Sequence, residues 1–113
     1  MISFILAEKG SLGELVVIER SEKIDNPKFL VGRSRDKYPL LSEIDLHDQD
    51  IYNYLDMNQF IDELNLLLKE SSITTADILH VKNIIILAQK CKVNENLFLI
   101  VTAFGKFYNN VSL

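Results

Sequence analysis

Two β-branched, apolar runs open the chain, ISFILA at 2–7 and ELVVIER at 14–20. The intervening EKGSLG carries two glycines, so the pair reads as a β-hairpin closed by a glycine-bearing loop. SEKIDNP at 21–27 breaks the pattern, because Pro27 has no N–H to give to a ladder. A short third strand is expected around Phe29, Leu30 and Val31, and GRSRDKYP at 32–39 reads as loop.

Further on, the period changes to that of a helix. Met57, Phe60, Ile61, Leu64, Leu67 and Leu68 recur at helical spacing, predicting a helix over 56–70. Asp56 is placed to cap it, with Gln59 three residues on as capping-box partner, and SSITT at 71–75 ends it. A second helix starts at Thr74 or Thr75, carries Asp77 in its first turn and runs to Lys92, where Lys90 and Lys92 complement the negative end of its dipole. Its apolar residues (Ile78, Leu79, Val81 and the run Ile84–Ala88) occupy most of its circumference, which predicts cover on more than one side.

VNEN at 93–96 is a turn, and LFLIVTAF at 97–104 is apolar enough for a strand buried on both faces. A strand of that kind is costly at a sheet edge, so it is expected to insert beside the first strand. GKFYNNVSL at 105–113 either adds one short edge strand or frays. The order predicts an α+β fold: a small antiparallel or mixed sheet of roughly three to five strands with a helical hairpin packed on one face. One domain is expected to span 1–113.

Composition narrows the function classes. At 48% hydrophobic the chain has the material for a core, and a net charge of −4 argues against nucleic-acid binding, which needs a phosphate-neutralising basic surface. A single cysteine, Cys91, forms no internal disulfide and fits a reducing compartment. MISFILAEKG lacks the basic stretch and cleavage site of a secretory leader, and no apolar run approaches the roughly 18–20 residues that span a bilayer. A soluble cytoplasmic protein without a membrane partner is expected.

Candidate chemistry is sparse. His47, Asp48 and Asp50 are close in sequence, but the calcium-loop template fails at its turn-forming glycine, where Asp50 stands. His80 and Cys91 share a helix face about 16 Å apart, outside hydrogen-bond reach, with Ile84 and Leu87 between them; both read as core residues. Asp62 and Glu63 diverge by about 100° on their helix and make no acid–base pair. These failures predict no catalytic residues, no metal, no cofactor and no enzymatic activity. Lys28, Arg33, Arg35 and Lys37 form a basic cluster, which the overall acidity argues against reading as an RNA contact.

One segment is unusual. Residues 38–68, YPLLSEIDLHDQDIYNYLDMNQFIDELNLLL, hold seven of the sixteen acids and none of the twelve lysines and arginines. No local ion pair offsets their repulsion, and aromatic residues are interleaved with them. Leu66 adds an apolar residue on the polar side of the helix. Acids around exposed aromatics suit a basic partner: the charges steer its approach and the rings anchor it. The expected partner-binding residues are Glu43, Asp45, Asp48, Asp50, Asp62 and Glu63, with Tyr52 and Tyr54 as anchors.

YPLLSEID at 38–45 and YNYLDMNQFIDELNLLL at 52–68 give a Tyr-Pro-Leu turn, an acidic loop and an Asp-Met-capped helix ending in a Glu-Leu-x-x-Leu run. This pattern resembles small acidic bacterial immunity proteins of contact-dependent growth-inhibition and other polymorphic toxin systems. The resemblance covers roughly 38–68, extends more weakly into the second helix and LFLIV, and transfers no individual functional residue. It implies a non-enzymatic cytoplasmic inhibitor that binds the C-terminal domain of one cognate toxin, often a basic nuclease, and occludes its substrate groove. The alternative expectation is a small interaction or adaptor domain; monomer and homodimer both stay open.

Overall fold

The computed structural model describes residues 1–22 and 26–104. Among these residues four antiparallel strands form one sheet: β1 (Ser3–Lys9), β2 (Leu15–Arg20), β3 (Gln49–Asn53) and β4 (Leu97–Thr102), in the order β2-β1-β4-β3. Gly13, at φ 83°, lets the β1–β2 hairpin turn tightly. As its apolar sequence predicts, β4 lies inside the sheet, flanked by β1 and β3, with Leu99 and Ile100 fully buried on opposite faces. The expected α+β architecture is present.

Helix α2 (Met57–Leu67) and helix α3 (Thr75–Lys92) cover one sheet face. Phe4, Leu6, Leu99 and Val101 of the sheet meet Phe60, Leu64, Leu67, Val81, Ile84 and Ala88 of the helices in the main core. Helix α3 starts where the sequence places it, at Thr75, with Asp77 in its first turn, and Thr74 and Asp77 form a capping box there that the sequence reading did not foresee. A smaller cluster of Ile5, Ala7, Leu15 and Ile100 occupies the other sheet face, with Ile51 and Phe98 packed against it.

Several sequence expectations need correction. Phe29 and Leu30 belong to a one-turn helix, α1 (Pro27–Leu30), not a strand: Pro27 takes its first position, where a missing N–H costs nothing. The third strand is β3, inside the acidic segment, where three charged or amide side chains in QDIYN mask its alternation. Asp56 does not cap α2. Instead Asn53 and Asp56 form a capping box on the 3-10 turn Tyr54–Asp56 that leads into it. Helix α3 is buried along one face only, through His80, Val81, Ile84, Leu87, Ala88 and Cys91, while Leu79 and Ile86 remain exposed. The expectations for 23–25 and for GKFYNNVSL at 105–113 lie outside the described residues. Among the described residues no helix is long and apolar enough to cross a membrane.

Candidate functional site

The acidic segment is held in place by its apolar residues. Leu41 and Ile44, the first in the 3-10 turn Leu41–Glu43 and the second just after it, insert fully into the core. Glu43 and Asp48 are thereby left exposed on the loop, with Asp45 at its margin. Asp45 then accepts from the His47 N–H, a local turn contact that orients its carboxylate. The chain next enters β3, whose register sets Asp50 opposite Val101 and Tyr52 opposite Leu99. Asp50 therefore lies on the helix-covered face, at the sheet edge.

Among the described residues, none of Glu43, Asp45, Asp48 and Asp50 makes an ion pair; the four salt bridges lie elsewhere. Partial burial, followed by repulsion from Glu43, Asp48 and Asp45, pushes the Asp50 carboxyl up to about 6. A carboxyl raised by burial and by its carboxylate neighbours in this way sits in uncompensated negative potential. Beside it, an open depression of about 340 Å³ is lined in part by Val31, Ile44, Asp45 and His47.

Two residues expected at this surface are internal. Tyr52 is buried, with its ring 5.2 Å from that of Phe60, and burial together with the nearby Asp50 raises its phenol. Glu63 is 1% exposed. Its carboxylate accepts from the Leu40 and Leu41 N–H groups at 2.9 Å each and from the Gln59 amide at 2.8 Å, fastening the acidic loop to α2. The cause in both cases is that a strand or helix face decides exposure, and composition does not report it. Leu66 likewise is partly buried against the core. Tyr54 is half-buried, Asp62 is exposed on α2, and Leu55 beside Tyr54 is 71% exposed.

The basic cluster is partly committed internally. Arg33 and Lys37 lie 5.7 and 5.5 Å from the Tyr38 ring centroid, and both reach Glu70. The buried Tyr38 hydroxyl donates to Glu70 at 2.6 Å; burial and that carboxylate push it up to about 12. The group ties the 32–39 loop to the end of α2. Among the described residues no cluster of His, Cys, Asp or Glu is arranged to hold a metal ion.

Sequence reasoning missed one polar constellation. His80 is fully buried on α3 between Phe4 and Phe29, whose rings approach it edge-on. Asn26, also fully buried, accepts from the Ile2 N–H at 2.7 Å and donates to the Ile2 carbonyl at 2.8 Å, which fixes its amide orientation. Its amide nitrogen is therefore a donor to His80 Nε2 at 2.8 Å, so the ring carries its proton on Nδ1 and donates to Glu22 at 2.6 Å. Partial burial alone would raise the Glu22 carboxyl, but hydrogen bonds from His80 and Asn83 outweigh it and hold it below the usual value. With Nε2 occupied and, among the described residues, no nucleophile hydrogen-bonded to the ring, the network is a clasp joining the start of β1, the segment after β2 and α3. A histidine at a core position of α3 was the available signal, since a buried ring nitrogen demands partners. Cys91 is also buried, its Sγ directed at the Leu97 carbonyl, and burial pushes its thiol up to about 11, against any nucleophilic role.

No protein-family model matches the chain, and comparison with curated proteins and with solved structures likewise finds no match.

Proposed function

We propose that the protein is a non-enzymatic inhibitor of the immunity type, which binds a basic toxin domain through the acidic surface formed by Glu43, Asp45, Asp48, Asp50 and Asp62. The observation that carries this reading is the unpaired carboxylate cluster around Asp50, whose own carboxyl is raised by burial and by repulsion from Glu43, Asp48 and Asp45. Such a feature is retained at a binding surface, where a partner's lysines and arginines supply the missing counter-charge. Inhibition is by occlusion: the carboxylates occupy the positions where a nuclease groove holds the phosphates of its substrate. With Tyr52 and Glu63 internal, anchoring falls to Tyr54 and the exposed Leu55 and Leu46.

The test is protection of cells that produce a basic nuclease toxin domain encoded beside this chain. Wild type is expected to restore growth, and the variant carrying Asp48→Lys and Asp50→Lys is expected to fail while remaining folded. Equal protection by both would refute the acidic surface.

A second reading, an adaptor or homodimer, draws on the opposite sheet edge. There Val16, Val17 and Ile18 of β2 are 53%, 37% and 46% exposed. Sedimentation over a range of concentrations separates it from the first: a tight dimer sensitive to Val16→Lys favours this one.

A further inference from the structure

We propose that the depression between the end of α1 and the acidic loop is a socket for one arginine side chain of the partner. The inference rests on the proposed binding role of the acidic surface and names the side chain that this surface takes.

Its walls are apolar. Ile44 is buried, Val31 half-buried and Leu46 47% exposed, and the three line the open depression of about 340 Å³. Gly32, at φ 82°, turns the chain away from α1 beside them, and a Cβ built on it would meet nothing within 4 Å. That stretch of wall is bare backbone facing free space. Apolar walls around an open depression cover the methylene stem of a long cationic side chain while its charged head stays at the rim.

The rim decides the charge of the occupant. Asp45 Oδ1 accepts from the His47 N–H at 2.5 Å, and among the described residues nothing engages Oδ2. The Ser42 hydroxyl donates to the Pro39 carbonyl at 3.0 Å, so its oxygen is left to accept. Glu43, Asp48 and Asp50 add to the same field. No lysine or arginine is among the described lining residues, and Arg33 and Lys37 of the adjoining loop reach Glu70 instead. An aliphatic or aromatic occupant would cover these acceptors without a donor or a counter-charge, which costs free energy. Of the two cations, the guanidinium is the more weakly hydrated and its planar fork matches a carboxylate. Arginine therefore loses less than lysine on entering between apolar walls.

The probe is arginine blocked at both ends, compared with equally blocked lysine and citrulline. Each is titrated into the full chain at about 0.02 M salt, with amide chemical shifts as the readout. Citrulline keeps the length and shape of the side chain and lacks its charge. Arginine is expected to bind with a dissociation constant of about 1 mM, about threefold tighter than lysine and about tenfold tighter than citrulline. Its largest shifts should fall at Gly32, Leu46 and His47. Asp45→Asn, which keeps the oxygen that takes the His47 N–H, and Leu46→Ser should each weaken it about fivefold or more. Equal binding of arginine and lysine, with shifts centred on Asp48 and Asp50 and no effect of Leu46→Ser, would overturn the socket and leave the acidic surface standing. If neither cation shifts an amide of the acidic loop at about 50 mM, the socket is overturned and the acidic surface is counted against as well.

Discussion

Replacing Asp50 by Asn removes a charge while keeping the side chain's shape, so it measures what a partly buried carboxylate among other carboxylates costs the fold. A carboxyl moved from 3.8 to about 6 corresponds to about 3 kcal/mol of differential interaction. Asp50 is only half-buried, and solvent screening brings the expected effect to about 1 kcal/mol. The direction follows from proton linkage. Because the native value is raised, the unfolded chain loses this proton first as pH rises through about 4. The native protein holds it until about 6, so wild type loses stability across that window and is flat above it. Asp50→Asn has no such loss. It should match wild type near pH 4 and exceed it by about 1 kcal/mol at pH 7, with less of a gain in high salt. Urea unfolding followed by far-ultraviolet circular dichroism suits a chain without tryptophan. A variant less stable than wild type at pH 7, or a gain equal at pH 4 and pH 7, would refute the reasoning.

Two further predictions separate structural polar groups from surface ones. Glu63→Ala leaves the Leu40 and Leu41 N–H groups without their acceptor and should destabilise by about 3 kcal/mol in chemical denaturation, where exposed Asp62→Ala should stay within about 0.5 kcal/mol. Asn26→Ala strips partners from both Ile2 backbone groups and from His80, and should cost about 2–4 kcal/mol with faster amide exchange at the start of β1; a neutral result would dismiss the clasp.

Much of the scaffold was legible because its signals are local. The hairpin announced itself through two β-branched runs around glycines, α3 through Thr74 and Asp77, and the central place of β4 through its unbroken apolar run. What escaped depends on tertiary context. QDIYN reads as loop because only Ile51 and Tyr52 are apolar in it, and pairing with β4 makes it a strand. FLV at 29–31 reads as strand until Pro27 starts a helical turn. At the candidate site the charge excess was visible from composition, but not its sorting. Glu63 and Tyr52 turn inward, while Asp50 stays at the edge among carboxylates that raise it. Likewise the partners of His80 are 58 and 54 residues away in sequence.

The central claim is that the carboxylates around Asp50 recruit a basic partner. Its most direct test is the association rate with a basic nuclease toxin domain, measured for wild type and for Asp48→Lys with Asp50→Lys at about 0.02 M and about 0.5 M salt. Steering by charges acts on association. Wild type should associate about tenfold faster at low salt than at high salt, and the charge-reversed protein should lose that advantage. An association rate that neither salt nor the charge reversal changes would contradict the account.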